Sequence, residues 1–244
     1  MRREIPRDAN EFRVLRREGP FVFVLKPAGF LVHNSDFAGP AEETLIDLVE
    51  RALGERAWPA HRLDRQTSGV VLFTTDRARL GEAMESVRRE GSQKRYLAIV
   101  RGIVAAPVVV DSPLTNARGN EVDALTRARP IATDAGSRSS LLLVEPETGR
   151  IHQVRRHLRR VDHPLVNDSD HGDTRFSRAF RAATGFDRLG LHALTLRVVL
   201  DDGAYSVSVP PTSDLAGLIA RLYGDDAVSR VGALVDERPV EEPT

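Results

Sequence analysis

Asp64 lies between two arginines in the nine-residue stretch His61–Gly69, which reads HRLDRQTSG. The apolar run 70–73 follows at once and predicts a short buried strand, and the Ser-Gly pair favours a loop that enters it. A carboxylate held on a loop by a rigid element is a common arrangement for attack on a substrate or for proton removal. An exposed ion pair is the ordinary interpretation of an isolated aspartate between arginines, so other motifs must decide between the two.

A second concentration of chemical groups is the basic stretch Thr148–Asp173. If Gln153–Arg160 is helical, its arginines fall at i,i+4 spacing and form a basic stripe, in which like charges repel one another. A polyanion such as RNA phosphate would relieve that repulsion. The alternative is a solvated basic face whose charges pair with acids elsewhere. The basic side chains and histidines noted in this stretch are Arg150, His152, Arg155, Arg156, His157, Arg159, Arg160 and His163.

The aspartates and histidines that follow this helix were weighed as metal ligands. They are His163, Asp168, Asp170, His171 and Asp173. Their spacing matches no closed zinc pattern, and the Asp-x-Asp-x-Gly run lacks the later glutamate of an EF-hand loop. Turns rich in Asp and Gly also form for backbone reasons alone, so no metal site is predicted.

Length and composition set the broad class. The chain has 244 residues, 41% of them hydrophobic, with 35 basic and 35 acidic residues and a formal net charge of zero. A globular protein is the default, and any nucleic-acid site must rest on local clustering of charge. There are no cysteines, which excludes disulfides, thiolate metal sites and a cysteine nucleophile and fits a reducing compartment. The polar N-terminus and the lack of a long apolar run predict a cytoplasmic protein that does not span a membrane.

Apolar runs and periodicity predict the elements that position these groups. The predicted strands are Phe21–Leu25, Leu97–Val100, Val108–Val110, Ser139–Val144, Leu194–Leu200 and Tyr205–Val209. The predicted helices are Glu42–Leu53, Ala78–Arg89 and Ser213–Tyr223. The second helix is expected to bury Leu80, Ala83, Met84 and Val87.

Three boundaries carry further expectations. Ser213 or Asp214 is the expected N-cap of the last helix. Thr115–Thr126 is polar and predicts a loop or a hairpin. Residues 236–244 are acidic and contain proline, so they are expected to be disordered.

The stretch HRLD-x-x-TSG resembles the signature of the RluA-type pseudouridine synthases, in which the aspartate is catalytic. The family's strand motif K-x-Y-x-A-x-V-x-G is matched at Lys94–Gly102, so the resemblance places Tyr96 in the active site. TGR-x-HQ-x-R-x-H, followed by HP-x-x-x-D and a later GD, is similar to a third motif of the family. The resemblance puts Arg155 on the arginine that pairs with Asp64, while Val154 stands where Ile or Leu is usual.

Two shorter matches support the same resemblance. KPAG after the first strand and RLGLHA at residues 188–193 are similar to segments that help to build the family's cleft. His192 in the second of these is expected to be a packed, hydrogen-bonded histidine and is not nominated as catalytic. RRHL with HPLVNDSDHGD resembles the tRNA pseudouridine synthase C branch, and Arg156 stands where many members have an apolar residue.

The resemblance covers roughly residues 20–210 and implies an α+β fold. The expected architecture is a mixed, largely antiparallel sheet with a central cleft flanked by helices, within one catalytic domain over residues 1–235. No S4-type RNA-binding module is expected before the motifs. A monomer is expected, and neither cofactor nor metal is expected because the implied reaction is an isomerisation.

That reaction converts a uridine in RNA to pseudouridine, and the base must be extruded to be reached. Asp64 would be the acting carboxylate, kept ionised by Arg155; attack at C1′, attack on the base and removal of a sugar proton all stay open. Tyr96 would stack on the base or take the C5 proton, and Arg62 would fill the space the base leaves. The expected RNA-binding residues are Arg62, Arg65, Arg150, His152, Arg156, Arg159 and Arg160.

Two rival functions differ from this one in class. The first is a catalytically inactive RNA-binding factor on the same scaffold. The second is a hydrolase that uses Asp64 with another carboxylate, as glycosidases do. For the substrate, tRNA is preferred over large-subunit ribosomal RNA or dual specificity, because RRHL and HPLVNDSDHGD in the third motif resemble a branch that is named for tRNA.

Overall fold

The chain builds one large sheet in the computed structural model, which describes residues 9–33 and 42–237. Within these residues there are twelve strands and five α-helices. The strands are β1 (Arg13–Glu18), β2 (Phe21–Lys26), β3 (Trp58–Pro59), β4 (Ser68–Thr74), β5 (Gln93–Arg101), β6 (Val108–Asp111), β7 (Leu114–Thr115), β8 (Glu121–Val122), β9 (Leu125–Asp134), β10 (Ser139–Pro146), β11 (Leu191–Leu200) and β12 (Gly203–Ser208). The helices are α1 (Leu45–Leu53), α2 (Leu80–Ser86), α3 (Gln153–Arg160), α4 (Thr174–Thr184) and α5 (Ser213–Asp236).

The sheet has the strand order β1-β2-β4-β11-β5-β10-β9-β6, with β12 beside β11 and β3 beside β4. β11 and β4 pair in parallel, and the other pairs between neighbours in this order are antiparallel. β7 and β8 form a separate hairpin. The expected α+β class and the mixed, largely antiparallel sheet are therefore confirmed.

Both faces of the sheet are covered, because successive side chains of a strand point to opposite faces. On β5, Leu97 and Ile99 join a cluster with α4 and α5, whereas Ala98 and Val100 join one with α3. On β2 and β4, alternate residues pack towards α2 on one face and towards α1 on the other. Tyr96 packs against both the α1 cluster and the α3 cluster, so it marks the junction between them.

β1, β3 and β9 were not predicted from the sequence. β1 is made of RVLRRE, whose charges gave no apolar signal, and it pairs with β2 at the edge of the sheet. β9 contains Pro130 and several arginines, and it has no apolar run that would mark a strand. Pro130 lies at a register shift opposite Leu141 and Leu142, where the ladder tolerates a residue without an N–H. The predicted loop or hairpin at 115–126 contains β8 and the second residue of β7.

The predicted helices also differ in extent. The helix expected at 78–89 is a 3₁₀ turn followed by the short α2, and Met84 is 41% exposed rather than buried. The last helix continues to residue 236 across a kink at Gly224, where φ is 74°. Its N-cap is Thr212, not Ser213 or Asp214.

The segment expected to be a disordered tail begins inside the described part of the chain. Asp236 ends α5, and Glu237 accepts a hydrogen bond from Arg95 Nη1 at 2.5 Å. Residues 238–244 lie outside the described residues. None of the described helices combines the length and apolar character that a bilayer crossing requires.

Candidate active site

Asp64 stands on the loop between β3 and β4, and Lys26 at the end of β2 fixes that loop. Lys26 is fully buried. Its Nζ donates to the main-chain oxygens of Arg65 at 3.0 Å, Thr67 at 2.7 Å and Pro27 at 3.0 Å. Three acceptors match the three N–H groups of an ammonium, so the lysine holds the turn that follows the aspartate.

The charge on Lys26 is opposed by its surroundings. Burial lowers its pKa to about 7, Arg188 acts in the same direction, and Asp64 raises it. The three carbonyl oxygens supply the compensation that a buried cation needs. From the sequence, KPAG indicates only a turn, and no role for Lys26 is predicted. The available signal was a lysine at the end of the otherwise apolar strand FVFVLK.

Gly69 allows the loop to reach the centre of the sheet. Its φ is +125°, and a Cβ atom there would lie 2.2 Å from the carbonyl oxygen of Ala193. Only glycine fits such a close backbone approach at that angle. The Thr-Ser-Gly turn therefore brings the Asp64 loop against β11, through the parallel pairing of Gly69 with Ala193.

Arg155 on α3 is the main partner of Asp64. Its Nη1 donates to Asp64 Oδ2 at 2.9 Å, while Nε and Nη2 donate to Asp168 at 2.8 and 2.7 Å. Nη2 also donates to Asp170 Oδ2 at 2.8 Å. The Arg155 side chain is 7% exposed and that of Asp168 is 0% exposed. One buried guanidinium thus joins three carboxylates.

The turn before α3 places a second polar group near Asp64. The side-chain oxygen of Gln153 accepts hydrogen bonds from Thr148 Oγ1 at 2.6 Å and from Arg150 N at 2.9 Å. His152 adopts a left-handed conformation with φ 52° at the start of the helix. Its Nε2 lies 3.5 Å from Asp64 Oδ1, so the two carboxylate oxygens face different partners.

Tyr96 lines the same cleft from β5. Burial raises the pKa of its hydroxyl, and Asp64 raises it further. A neutral phenol can stack on a base and donate a hydrogen bond, whereas accepting a carbon-bound proton requires a stronger base. The cleft has a volume of about 100 Å³ and also exposes Lys94. Its lining includes Arg62, Leu63, Asp64, Thr67, Lys94, Tyr96, Thr148, Arg150, His152, Arg155 and Leu191.

The basic stripe predicted along α3 is not a single exposed face. Arg155 is buried and tied to aspartates, as described above. Arg156 Nη1 donates to the carbonyl oxygen of Thr115 at 2.9 Å. Arg160 Nη1 donates to Pro113 O at 3.0 Å and bonds the hydroxyl of Ser112. Spacing gives the separation of the arginines along the helix, but not which of them meets another segment.

Arg159 and Arg65 have looser positions at the surface. Arg159 lies 3.7 Å from Asp162, and its side chain is 51% exposed. Arg65 Nε donates to Gly29 O at 3.1 Å, and its Nη2 lies 2.9 Å from Glu42 Oε2. Surface ion pairs of this kind contribute little to stability.

Arg62, Lys94 and Arg150 offer positive charge at the cleft itself. Arg62 and Arg150 are exposed, and Arg150 Nε donates to Asp123 O at 2.9 Å. Burial lowers the pKa of Lys94, and Arg88 lowers it further. The sequence analysis used Lys94 only as a motif position and did not nominate it for binding.

His192 is fully buried and hydrogen-bonded at both ring nitrogens. Nδ1 bonds Ser68 Oγ at 2.9 Å, and Nε2 bonds the carbonyl oxygen of Val209 at 3.1 Å. A carbonyl only accepts, so Nε2 carries the proton and Nδ1 accepts from Ser68. Burial lowers the pKa of His192 to about 4. These contacts match the expected packed histidine.

The aspartates weighed as metal ligands have other partners. Asp168 and Asp170 bind Arg155, and Asp173 caps α4 by accepting from Phe176 N at 2.9 Å. Over residues 9–33 and 42–237, no group of three or more histidine, cysteine, aspartate or glutamate side chains is arranged to hold a metal ion.

Comparison with known proteins gives the family. Residues 20–160 match the family model for RNA pseudouridylate synthase. The chain belongs to the RNA pseudouridylate synthase family. The matched segment contains Asp64, Tyr96 and Arg155. The protein is therefore a pseudouridine synthase, an isomerase that acts on RNA, which excludes the hydrolase and the inactive binding factor.

Curated relatives agree over most of the chain. The tRNA pseudouridine synthase C of Vibrio cholerae is 36% identical over 196 residues, which is 72% of this chain and 80% of the relative. Those of Salmonella typhi and Haemophilus ducreyi are 36% and 32% identical, and the alignments cover 76% of this chain and 79% and 84% of the relatives.

Two solved structures share the fold of this synthase. Human RNA Pseudouridylate Synthase Domain Containing 1 aligns over 98% of this chain and 100% of its own, with a TM-score of 0.75 and 23% identity. Human RNA Pseudouridylate Synthase Domain Containing 4 covers 86% of this chain and 92% of its own, with a TM-score of 0.70 and 22% identity. The expected pseudouridine synthase fold is thereby confirmed.

Proposed function

We propose that this synthase isomerises a uridine of tRNA, with Asp64 as the acting carboxylate, Arg155 as its counter-ion and Tyr96 against the base. The observation that carries the proposal is the bond between Asp64 and Arg155 at the edge of the cleft that Tyr96 lines. The side chain of Asp64 is 26% exposed, so it is reachable, whereas its partner is buried. A fixed, solvent-reachable carboxylate is what attack or proton removal requires.

The reaction exchanges one bond for another within the same nucleotide. The glycosidic bond from C1′ to N1 breaks, the base turns, and C1′ joins C5. The hydrogen of C5 leaves as a proton and N1 gains one, so no electrons are gained or lost overall. The neutral phenol of Tyr96 suits stacking on the base during this turn. A base in folded RNA must first leave its stack, which costs a few kcal/mol.

The cationic side chains in and around the cleft are expected to contribute unequally to RNA binding. Arg62, Lys94 and Arg150 lie at the cleft, and the exposed Arg159 extends the charge along α3. We assign phosphate contacts to these four. Arg65, Arg156 and Arg160 bind protein oxygens and do not line the cleft, so their contribution to RNA binding should be smaller. His152 is assigned to Asp64 rather than to RNA.

tRNA is preferred as the substrate because the named relatives are tRNA pseudouridine synthases C. We also propose a single catalytic domain and a monomer. A neutral protein with a few cations at its cleft should grip a short RNA segment through phosphates. Its target would then be selected by RNA shape and by how readily one uridine is extruded.

The test is tritium release from RNA labelled at C5 of uridine. Unmodified tRNA and large-subunit rRNA transcripts are incubated separately with the enzyme and with Asp64→Asn. We expect release from tRNA with the wild-type protein alone. Release only from rRNA would overturn the substrate and leave the reaction standing. Release by Asp64→Asn within tenfold of wild type would overturn the role of Asp64.

A further inference from the structure

Two histidines, His152 and His171, follow one another outward from the Asp64 oxygen that does not bind Arg155. His152 Nε2 lies 3.5 Å from Asp64 Oδ1, and His152 Nδ1 lies 3.1 Å from His171 Nε2. The two rings meet edge to face, with centroids 5.3 Å apart and planes at 74°. Oδ2 of Asp64, by contrast, is bound to Arg155. The carboxylate thus has one strongly bound oxygen and one oxygen facing a histidine.

The count of donors and acceptors determines which nitrogen of each ring carries the proton. A neutral imidazole has one N–H donor and one acceptor nitrogen. If His171 donates from Nε2, His152 accepts at Nδ1 and carries its own proton on Nε2, facing the carboxylate. The reverse arrangement would turn a lone pair of His152 towards the negative oxygen. The first arrangement is therefore the favourable one, and His171 selects it.

The backbone around both rings keeps them in place. His152 holds a left-handed conformation with φ 52°, which is strained for a non-glycine residue and persists only where the surroundings enforce it. His171 N donates to Asp168 Oδ1 at 3.0 Å. Gly172 follows, and a Cβ atom there would lie 2.2 Å from the carbonyl oxygen of Asp168. Asp168 therefore orients the histidine pair as well as binding Arg155.

The charges around His171 keep its ring neutral near pH 7. Burial lowers the pKa of His171, and Arg155 and His152 lower it further, while Asp168 and Asp170 raise it. A neutral ring can hold its proton on either nitrogen, so the contact with His152 can select the Nε2–H form. A neutral His171 therefore orients His152 without adding a cation beside Arg155.

We propose that His171 is a positioning residue that acts through His152, holding the Nε2–H of His152 towards Asp64 Oδ1 and so fixing the orientation of the reactive carboxylate. This rests on the proposed function of Asp64. His171 does not line the cleft, so its loss should slow the chemical step and leave RNA binding almost unchanged. In metal sites, residues that orient a ligand histidine change activity by about 10- to 100-fold, and we expect a loss in that range here.

Two substitutions separate positioning from packing. His171→Phe keeps an aromatic ring and removes the donor. His171→Gln offers an amide N–H where Nε2 stands. We expect kcat to fall at least tenfold in His171→Phe with KM within about twofold of wild type, and kcat of His171→Gln to stay within about threefold. His163→Gln is the matched control, because His163 bonds the main chain of Arg101, and we expect it to behave as wild type.

The kinetic test is tritium release from C5-labelled RNA. A kcat for His171→Phe above half of the wild-type value would overturn the proposal, and so would a loss confined to KM. An equal loss of kcat in His171→Gln and His171→Phe would assign the effect to packing and overturn it too. If wild-type enzyme releases no label from any RNA, the proposed function fails instead.

A second readout does not need activity. Nitrogen-15 NMR of the histidine rings reports which nitrogen of His152 is protonated in the free enzyme. We expect the Nε2–H form in wild type and in His171→Gln, and a mixture of forms in His171→Phe. A wild-type His152 in the Nδ1–H form would overturn the proposal whatever the kinetics show.

Discussion

Replacing Arg155 by alanine is the sharpest perturbation that the site offers. The guanidinium is 7% exposed and donates four hydrogen bonds of 2.7–2.9 Å to three carboxylates. Its removal leaves Asp64, Asp168 and Asp170 together without their shared cation, and Asp168 is completely buried. Two effects are expected: loss of stability from Asp168, and loss of activity from Asp64.

The size of the first effect follows from the burial. Removing one partner of a buried ion pair costs about 3–5 kcal/mol, because the other charge stays in a poorly solvated place. This is a large share of the roughly 5–15 kcal/mol by which a domain is stable. Arg159→Ala is the control on the same helix. Its side chain is 51% exposed and lies 3.7 Å from Asp162, so its loss should cost at most about 0.5 kcal/mol.

Urea unfolding followed by the fluorescence of Trp58, the single tryptophan, measures the stability. Tritium release from C5-labelled tRNA measures the activity, under conditions where both variants are folded. We expect at least a hundredfold loss of kcat in Arg155→Ala, which is about 2.7 kcal/mol of transition-state stabilisation. Arg159→Ala should keep its kcat and weaken RNA binding slightly.

The double variant Arg155→Ala/Asp168→Asn separates the two effects. Asparagine removes the buried charge, so stability should recover relative to Arg155→Ala, while Asp64 still lacks its cation and activity should stay low. The reasoning is refuted if Arg155→Ala unfolds within 1 kcal/mol of wild type, or if the double variant regains activity. Equal and mild effects in Arg155→Ala and Arg159→Ala would reduce Arg155 to one more surface cation.

Three further perturbations follow from the same site and its core. Asp64→Asn should fold normally, bind RNA and make no pseudouridine, as measured by mass spectrometry of digested tRNA; a conversion rate within tenfold of wild type would contradict this. Tyr96→Phe should keep RNA binding, because the ring remains. Full activity would show that the ring rather than the hydroxyl matters. An enzyme that starts the reaction but does not finish it would assign the C5 proton to the hydroxyl. For His192, the unfolded chain binds a proton as the pH falls through about 6.5, whereas the folded protein resists it down to about 4. The free energy of unfolding should therefore drop by up to about 3 kcal/mol over that window and be unaffected above it. His192→Gln should remove this part of the pH dependence, measured as the difference in the free energy of unfolding between urea titrations at pH 7.5 and 5. A difference as large as that of the wild type would contradict the assignment.

The sequence predicted the reactive residues of this site better than the residues that hold them in place. Asp64, Tyr96 and Arg155 were nominated from long motifs, and the fold brings all three to one cleft. Asp168 is a position of the third motif, and both Asp168 and Asp170 were otherwise considered as metal ligands or turn residues. Their role as partners of Arg155 depends on how the loop after α3 folds back onto that helix, and residue spacing does not contain this information.

Local signals explain which elements could be predicted. β2 and β4 are nearly continuous apolar runs, and such runs predict buried strands directly. β9 carries Pro130 and alternates exposed arginines with buried residues, so it has no apolar run that marks a strand. The last helix was expected to end at Tyr223, because Gly224 is a strong breaker. Here glycine makes a kink, and packing of Ala227, Val231 and Leu234 against the core lets the helix resume.

The place of β11 in the sheet has a consequence for the order of events during synthesis. Its residues, 191–200, insert between β4, which follows the Asp64 loop, and β5, which carries Tyr96. A nascent chain that has just passed residue 160 already contains Asp64, Tyr96 and Arg155, yet the strand that joins the two halves of the sheet has not been made. Until it emerges, β4 and β5 each lack a neighbour, and unpaired apolar edges of this kind attract other chains. The enzyme should therefore depend on chaperones late in translation, and its active site should assemble only when four-fifths of the chain is complete.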